Sequence, residues 1–377
     1  MPYVASTADI VTRIAHVATR YSDTALSNNP KEFVVVPADD SPASIQDKIQ
    51  LVKDALKERS AAGAPPSPVL DVMNDVALPN GKRSHTDLDS GVVTLSAKEL
   101  MSASLKGFDA QTAMAVMTVH EEGHANLSRL DVQPNGARDF QPDPADGHPV
   151  NGWERTIPDN VLDVVRSTTG QESKHKAVLA LYGLVHEAYG DSFAVLSIAA
   201  KDGAAKGSAL ADSLREHRVG EIAENRGSLD VHDSTRGLKW LGEYLKTESG
   251  EKLVNTLASR TESQGERADA VHHTALKFST LNVQKWAQDH GATQYQAQSI
   301  ATWVNATYSA NEASMKAGQS GHTASTSTHK PEVFAYDKET ISSLADDRKS
   351  AAAPPKAATD KAAGSERTME RTMERRW

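Results

Sequence analysis

His120 and His124 stand four residues apart, and Glu121 directly follows the first of them. On a helix, residues four apart share one face, so two imidazoles at this spacing can reach a single metal ion. Glu121 then lies beside that ion, where a carboxylate can take a proton from an attacking water. Random placement of the chain's 14 histidines and 22 glutamates produces this five-residue pattern about 0.03 times. The rest of the chain must therefore supply the missing parts, above all a third ligand.

A catalytic zinc site usually has three protein ligands and a water. One route places the third ligand just downstream. The metzincin pattern needs a glycine three residues after His124 and a histidine three after that, but Leu127 and Leu130 stand there. Asp131 shares roughly the helical face of His124. A continued helix puts it about 10 Å further along the axis, so it ligates only if the helix breaks early. The better candidate lies in Leu184-Val185-His186-Glu187-Ala188-Tyr189-Gly190-Asp191. Glu187 and Asp191 share one helix face, flanked by the apolar Leu181, Leu184, Val185, Phe193, Val195 and Leu196. Carboxylates embedded in so apolar a helix require a cation or hydrogen bonds. A zinc ion with two imidazoles meets that need. Glu187 binds the metal, and Asp191 accepts the second N–H of a ligating imidazole, which fixes its tautomer.

His120-Glu121-x-x-His124 followed by Glu187-x-x-x-Asp191 resembles the gluzincin class of zinc metallopeptidases. The resemblance covers two helices. It implies a zincin-like fold, Zn2+ as cofactor, His120, His124 and Glu187 as ligands, and Asp191 as the residue that orients His120. It also implies hydrolysis of a peptide or protein substrate by a zinc-activated water, with Glu121 as general base. The developing oxyanion needs a further donor from a later segment. His232, in Asp230-Val231-His232-Asp233, is the first choice because Asp230 or Asp233 can orient it; His217 and Tyr189 are alternatives. His186, about 100° around the helix from Glu187, is expected to pack rather than react. The pair His272-His273 receives no role. Two other classes compete with a peptidase: a catalytically inactive, zinc-stabilised binding or scaffold protein, and a metal-dependent hydrolase of a non-peptide bond. Retention of Glu121 argues against the scaffold, because structure needs the ligands and not the base.

The elements that must position these residues read as follows. Helices are expected over 7–21 and 44–57, and strands over 33–36 and 92–95. Ser96-Ala97-Lys98-Glu99 fits a capping box opening a further helix. Asp109 is the expected N-cap of the helix carrying His120, which runs to about Leu130. The Pro-, Asp- and Asn-rich stretch 131–158 reads as a long surface excursion. Helix returns over 174–200, then over 208–224, 234–246, 251–260 and 293–309. The expected fold is mainly α with a small β component: a zincin-like metallopeptidase domain over 1–310 and a low-complexity, flexible C-terminal tail over 311–377. The tail ends in a repeated Glu-Arg-Thr-Met unit.

Composition narrows the partners. The chain of 377 residues carries a net charge of −9, so no basic field exists to hold nucleic acid by its phosphates. It has no cysteine, which removes disulfides and thiolate ligands and leaves His, Asp and Glu to bind any metal. No apolar run is long enough for a membrane span, and none near the N-terminus reads as a cleavable signal. The expected location is the cytoplasm, or export without a cleaved signal, as suits a bacterial effector or toxin.

Overall fold

A computed structural model describes residues 21, 33–36, 69–71, 84–86, 93–96, 99–100, 103–128, 130, 141–142, 149–150, 152–224, 231–259 and 264–320. The expected helices over 7–20 and 44–57, Asp131, Asp230 and the tail beyond 320 lie outside these residues. The described part is mainly helical.

Strands β1 (Phe33–Val36), β2 (Val69–Asp71), β3 (His85–Thr86) and β4 (Val93–Ser96) form a sheet in the order β2-β1-β4-β3. The β-branched run of β1 lies between two parallel neighbours, with Phe33 opposite both Val69 and Val93. A β-branched run suits such a pleated, doubly paired strand. β3 runs antiparallel to β4, with Thr86 opposite Val93. Val93 and Leu95, two apart and so on one face, are fully buried. Just after β4, the Glu99 N–H donates to Ser96 Oγ at 3.3 Å, as a capping box requires. The Glu99 carboxylate does not complete the box; it accepts the N–H of Ser84, before β3.

Helix α1 (Ala110–Ser128) begins where Asp109 predicts, with the Thr112 N–H donating to Asp109 Oδ1 at 2.7 Å. After it come α2 (Gly152–Thr156), α3 (Asp159–Thr169), α4 (Lys174–Asp202), α5 (Ala204–Glu224), α6 (Thr235–Leu245), α7 (Glu248–Ser259), α8 (Gln264–Asp289) and α9 (Gln294–Ser320). The axis of the fold is α4, in which every residue from Ala188 to Ala200 is buried. A helix buried all round must be wrapped by others; α1, α3, α5 and α8 pack against it.

The stretch expected as a surface excursion departs from that reading. It contains a short hairpin, β5 (Gln141–Pro142) with β6 (Pro149–Val150), and then α2. Trp153 of α2 is 2% exposed and packs edge-on against Tyr182, Trp303 and Tyr308, with ring centroids 5.1–5.6 Å apart. Helices α3 and α8 were not anticipated, and α9 continues through the expected boundary at 310 to Ser320. The buried face of α8 is interrupted by polar residues, which hides its helical period. Each has a partner: Ser279 Oγ donates to the Val185 carbonyl at 2.7 Å, and Asn282 donates to the Asp233 carbonyl at 2.8 Å. Among the described residues, no helix is long and apolar enough to cross a membrane.

Candidate metal centre

Two glycines let α1 and α4 touch. A Cβ on Gly123 would lie 3.0 Å from the Cα of Gly190. A Cβ on Gly190 would lie 2.9 Å from both Cε1 and Nδ1 of His120 and 3.2 Å from its carbonyl oxygen. Real Cβ atoms essentially never come as close as 2.9 Å, so any side chain at Gly190 would displace His120, and one at Gly123 would push the helices apart by a few tenths of an ångström.

At the crossing, three donor groups converge. Nε2 of His120 and Nε2 of His124 are 2.9 Å apart. Glu187 Oε2 lies 3.5 Å from His120 Nε2, and Glu187 Oε1 lies 3.6 Å from His124 Nε2. Donors bound tetrahedrally at 2.0–2.2 Å are about 3.3–3.6 Å from one another. The observed edges bracket that range, and the set of two imidazoles and a carboxylate suits zinc. The residues present fit such an ion.

Asp191 holds the first imidazole from behind. Its Oδ1 is 2.8 Å from His120 Nδ1, which turns Nε2 toward the donor cluster. The same carboxylate accepts a two-pronged contact from Arg218, with Nε to Oδ2 and Nη2 to Oδ1 both at 2.9 Å. It also accepts a hydrogen bond from Ser234 Oγ at 2.5 Å. Arg218 is itself buried; its Nη2 reaches Glu187 Oε2 at 3.4 Å and its Nη1 reaches Glu221 at 2.8 Å.

These contacts set the charges. Burial would raise the Asp191 carboxyl, but Arg218 and His120 outweigh it and hold the group well below the usual carboxylate range. Glu187 is likewise depressed, because contacts from His120, His124 and Arg218 overcome its burial. Burial would lower His120, yet the charge and hydrogen bond of Asp191, with those of Glu187, raise it to about 10. His124 is pushed down to about 3 by burial and then by the charge on His120. Of the two imidazoles, His120 is thus the one that favours the protonated form in the metal-free protein.

Glu121, also buried, is pushed up to about 7 by loss of solvent, opposed by the charge on His120 and by Thr86. The Thr86 hydroxyl, on β3, lies 2.9 Å from Glu121 Oε2 and 2.7 Å from its carbonyl oxygen. On the far side, His232 Nε2 is 3.5 Å from Glu187 Oε1, with its side chain 34% exposed. His232 sits in the turn 231–234, which Ser234 pins to Asp191 and Asn282 pins through the Asp233 carbonyl.

The structure thus brings together His120, Glu121, His124, Glu187, Asp191 and His232. Three subsidiary expectations need correction. The Asp233 carboxylate does not orient His232; it accepts from Thr235 Oγ1 at 2.6 Å and from Arg236. Tyr189 is fully buried, with its hydroxyl 2.6 Å from His272 Nδ1, away from the cluster. The His217 side chain is 50% exposed and faces Glu221. Its neighbour Arg218 is the one that turns inward, and the sequence carries a signal for it. Ala211, Leu214 and Arg218 lie three and four apart on the buried stripe of α5, and an arginine on such a stripe must meet carboxylates. Ser234, Thr86 and the glycine pair have no comparable local signature.

Comparison of the chain with family models, with curated proteins and with solved structures returns no significant match.

Proposed function

We propose that this protein is a zinc-dependent metallopeptidase of the zincin type. The observation that carries the reading is the convergence of His120 Nε2, His124 Nε2 and the Glu187 carboxylate within 2.9–3.6 Å of one another, beside a buried Glu121. When held there, zinc supplies a Lewis acid that makes water nucleophilic near neutral pH and polarises a carbonyl. Asp191, beside Nδ1, would fix the tautomer of His120 and leave the Nε2 lone pair for a metal ion. Arg218 and Ser234 keep Asp191 ionised for that task. Glu121 takes the proton of the attacking water and returns it to the leaving amine. Burial raises this carboxyl in the metal-free protein, and the charge of a bound ion would lower it again toward the ionised form that a base needs. Thr86 holds Glu121 by its hydroxyl. His232, half-buried beside Glu187, offers a donor to the negative charge that develops on the carbonyl oxygen.

A peptide is favoured as substrate by the sheet. Among the described residues β3 pairs on one side only, with β4, and its Thr86 touches Glu121. An extended peptide can add to such an edge through backbone hydrogen bonds, bringing an amide to the site. The test is a peptide-library digest with zinc-loaded wild type and Glu121→Gln. Cleavage by the wild type, lost in the variant at equal zinc content, is expected. Silence from both, with zinc retained, would refute the peptidase reading in favour of a zinc-stabilised binding protein.

A further inference from the structure

We infer that His272, His273 and Glu312 form a second divalent-metal site, suited to a zinc-type ion, that clamps α9 onto α8. This goes beyond the function proposed above and does not rest on it. One donor atom from each of the three residues lies within 4.8 Å of those from the other two. His273 Nε2 is 3.6 Å from Glu312 Oε1, and the rings of His272 and His273 are 5.2 Å apart at 60°.

His272 is fully buried, with its Nδ1 2.6 Å from the Tyr189 hydroxyl. With Nδ1–H donated to the tyrosine oxygen, Nε2 is the nitrogen it would present to an ion. The arrangement parallels the first site. There Asp191 of α4 holds His120 by Nδ1 and turns its Nε2 to the donor cluster; here Tyr189, two residues earlier on the same helix, holds His272 by Nδ1. Partners of this kind orient ligating imidazoles.

Donors bound tetrahedrally at 2.0–2.2 Å are about 3.3–3.6 Å from one another, as at the first site. With its donors within 4.8 Å of one another, the cluster has to close by at most about 1.5 Å, a movement within reach of side-chain rotation. His273 supplies it, being 33% exposed, while Tyr189 keeps His272 in place. Two imidazoles and a carboxylate favour zinc over magnesium or calcium, which prefer oxygen alone. An ion so held joins the last two long helices, and α9 carries the Trp303 and Tyr308 rings that pack on Trp153.

The experiment counts zinc bound per full-length chain across a chelator-buffered Zn2+ titration, in wild type, His124→Ala, His273→Ala and Glu312→Gln. His273→Ala and Glu312→Gln are each expected to bind one zinc fewer than wild type, and to lose part of the rise in melting temperature that zinc gives the wild type. A count in both variants equal to that of the wild type overturns the proposal. The first site is read separately: His124→Ala should lose a zinc that His273→Ala and Glu312→Gln keep, so failure at one site leaves the other count intact. His273 is partly exposed and Glu312→Gln is isosteric, so both variants retain the fold on which the count depends.

Discussion

Replacing Gly190 with alanine should separate the metal centre from the stability of the fold. The added Cβ would meet Cε1 and Nδ1 of His120 at 2.9 Å, inside the 3.4 Å at which ordinary contact begins. The ring or the helix must shift by about 0.5 Å, the difference between those distances. Overpacking of this kind costs about 1–3 kcal/mol. Alanine returns about 1 kcal/mol through its helix propensity, which leaves a net loss of about 0–2 kcal/mol. At about 2–4 °C per kcal/mol, the melting temperature falls by only a few degrees. The same shift draws His120 Nδ1 off Asp191 and turns Nε2 away from the other donors. Loss of such an orienting contact weakens zinc by about 10–100-fold. Gly220→Ala is the control, because a Cβ there meets nothing within 4 Å. It should leave zinc affinity unchanged and stabilise α5 by about 0.4–1 kcal/mol. Zinc affinity is measured by chelator competition, and stability by thermal melts in excess chelator. Wild-type zinc affinity in Gly190→Ala would refute the argument that this helix crossing aims the ligands.

Three further outcomes follow from the charges and the core. With His120 held up to about 10 in the metal-free protein, zinc must displace one proton, so its affinity should rise about tenfold per pH unit above pH 7. Below that, Glu121 at about 7 contributes a second proton once the ion's charge lowers it, and the slope should steepen. Calorimetry in buffers of different ionisation enthalpy counts these protons, and a flat profile from pH 6 to 9 contradicts the assignment. Arg218→Met leaves Asp191 and Glu187 buried beside one fewer cation, and should cost the metal-free protein about 3–5 kcal/mol. Zinc should restore part of that loss, measured as the denaturant midpoint with zinc against chelator. Trp153→Ala should cost about 3–5 kcal/mol in the same assay, because it empties a pocket walled by Tyr182, Trp303 and Tyr308; a surface-like loss under 1 kcal/mol would contradict the burial of α2.

The parts of the site that could be read from sequence are those whose geometry is local. His120 with His124, and Glu187 with Asp191, are each one helical turn apart, and the helix alone puts each pair on one face. That the two faces meet depends on Gly123 and Gly190, whose significance appears only when the helices cross. The long helices α1 and α4 were legible through Asp109 and through the apolar residues that flank Glu187 and Asp191. Helix α8 was not, because His272, Ser279 and Asn282 occupy its buried face and break the apolar period that sequence reading relies on. Their hydrogen bonds to Tyr189, Val185 and Asp233 span 49–94 residues and leave no mark on neighbouring sequence. Trp153 was missed for a related reason: the polar residues around it describe a loop, while its ring is held by α4 and α9.

The placement of His232 shows how the site organises sequence that is distant from it. Its chain neighbour Asp233 looked like its orienting partner, but that carboxylate serves Thr235 and Arg236. The turn is held instead through Ser234. This residue occupies the N-cap of α6, where serine usually accepts a helical N–H, yet its side chain makes no such bond. Its hydroxyl donates to Asp191, 43 residues earlier, at 2.5 Å. A helix cap forgone in this way costs about 1 kcal/mol. What offsets it is a bond to a buried carboxylate that also receives His120 and Arg218. The aim of His232 therefore depends on the ionised state of Asp191, and the aim of His120 depends on the same group. One carboxylate thus couples the ligand helix, the buried arginine and the rim histidine.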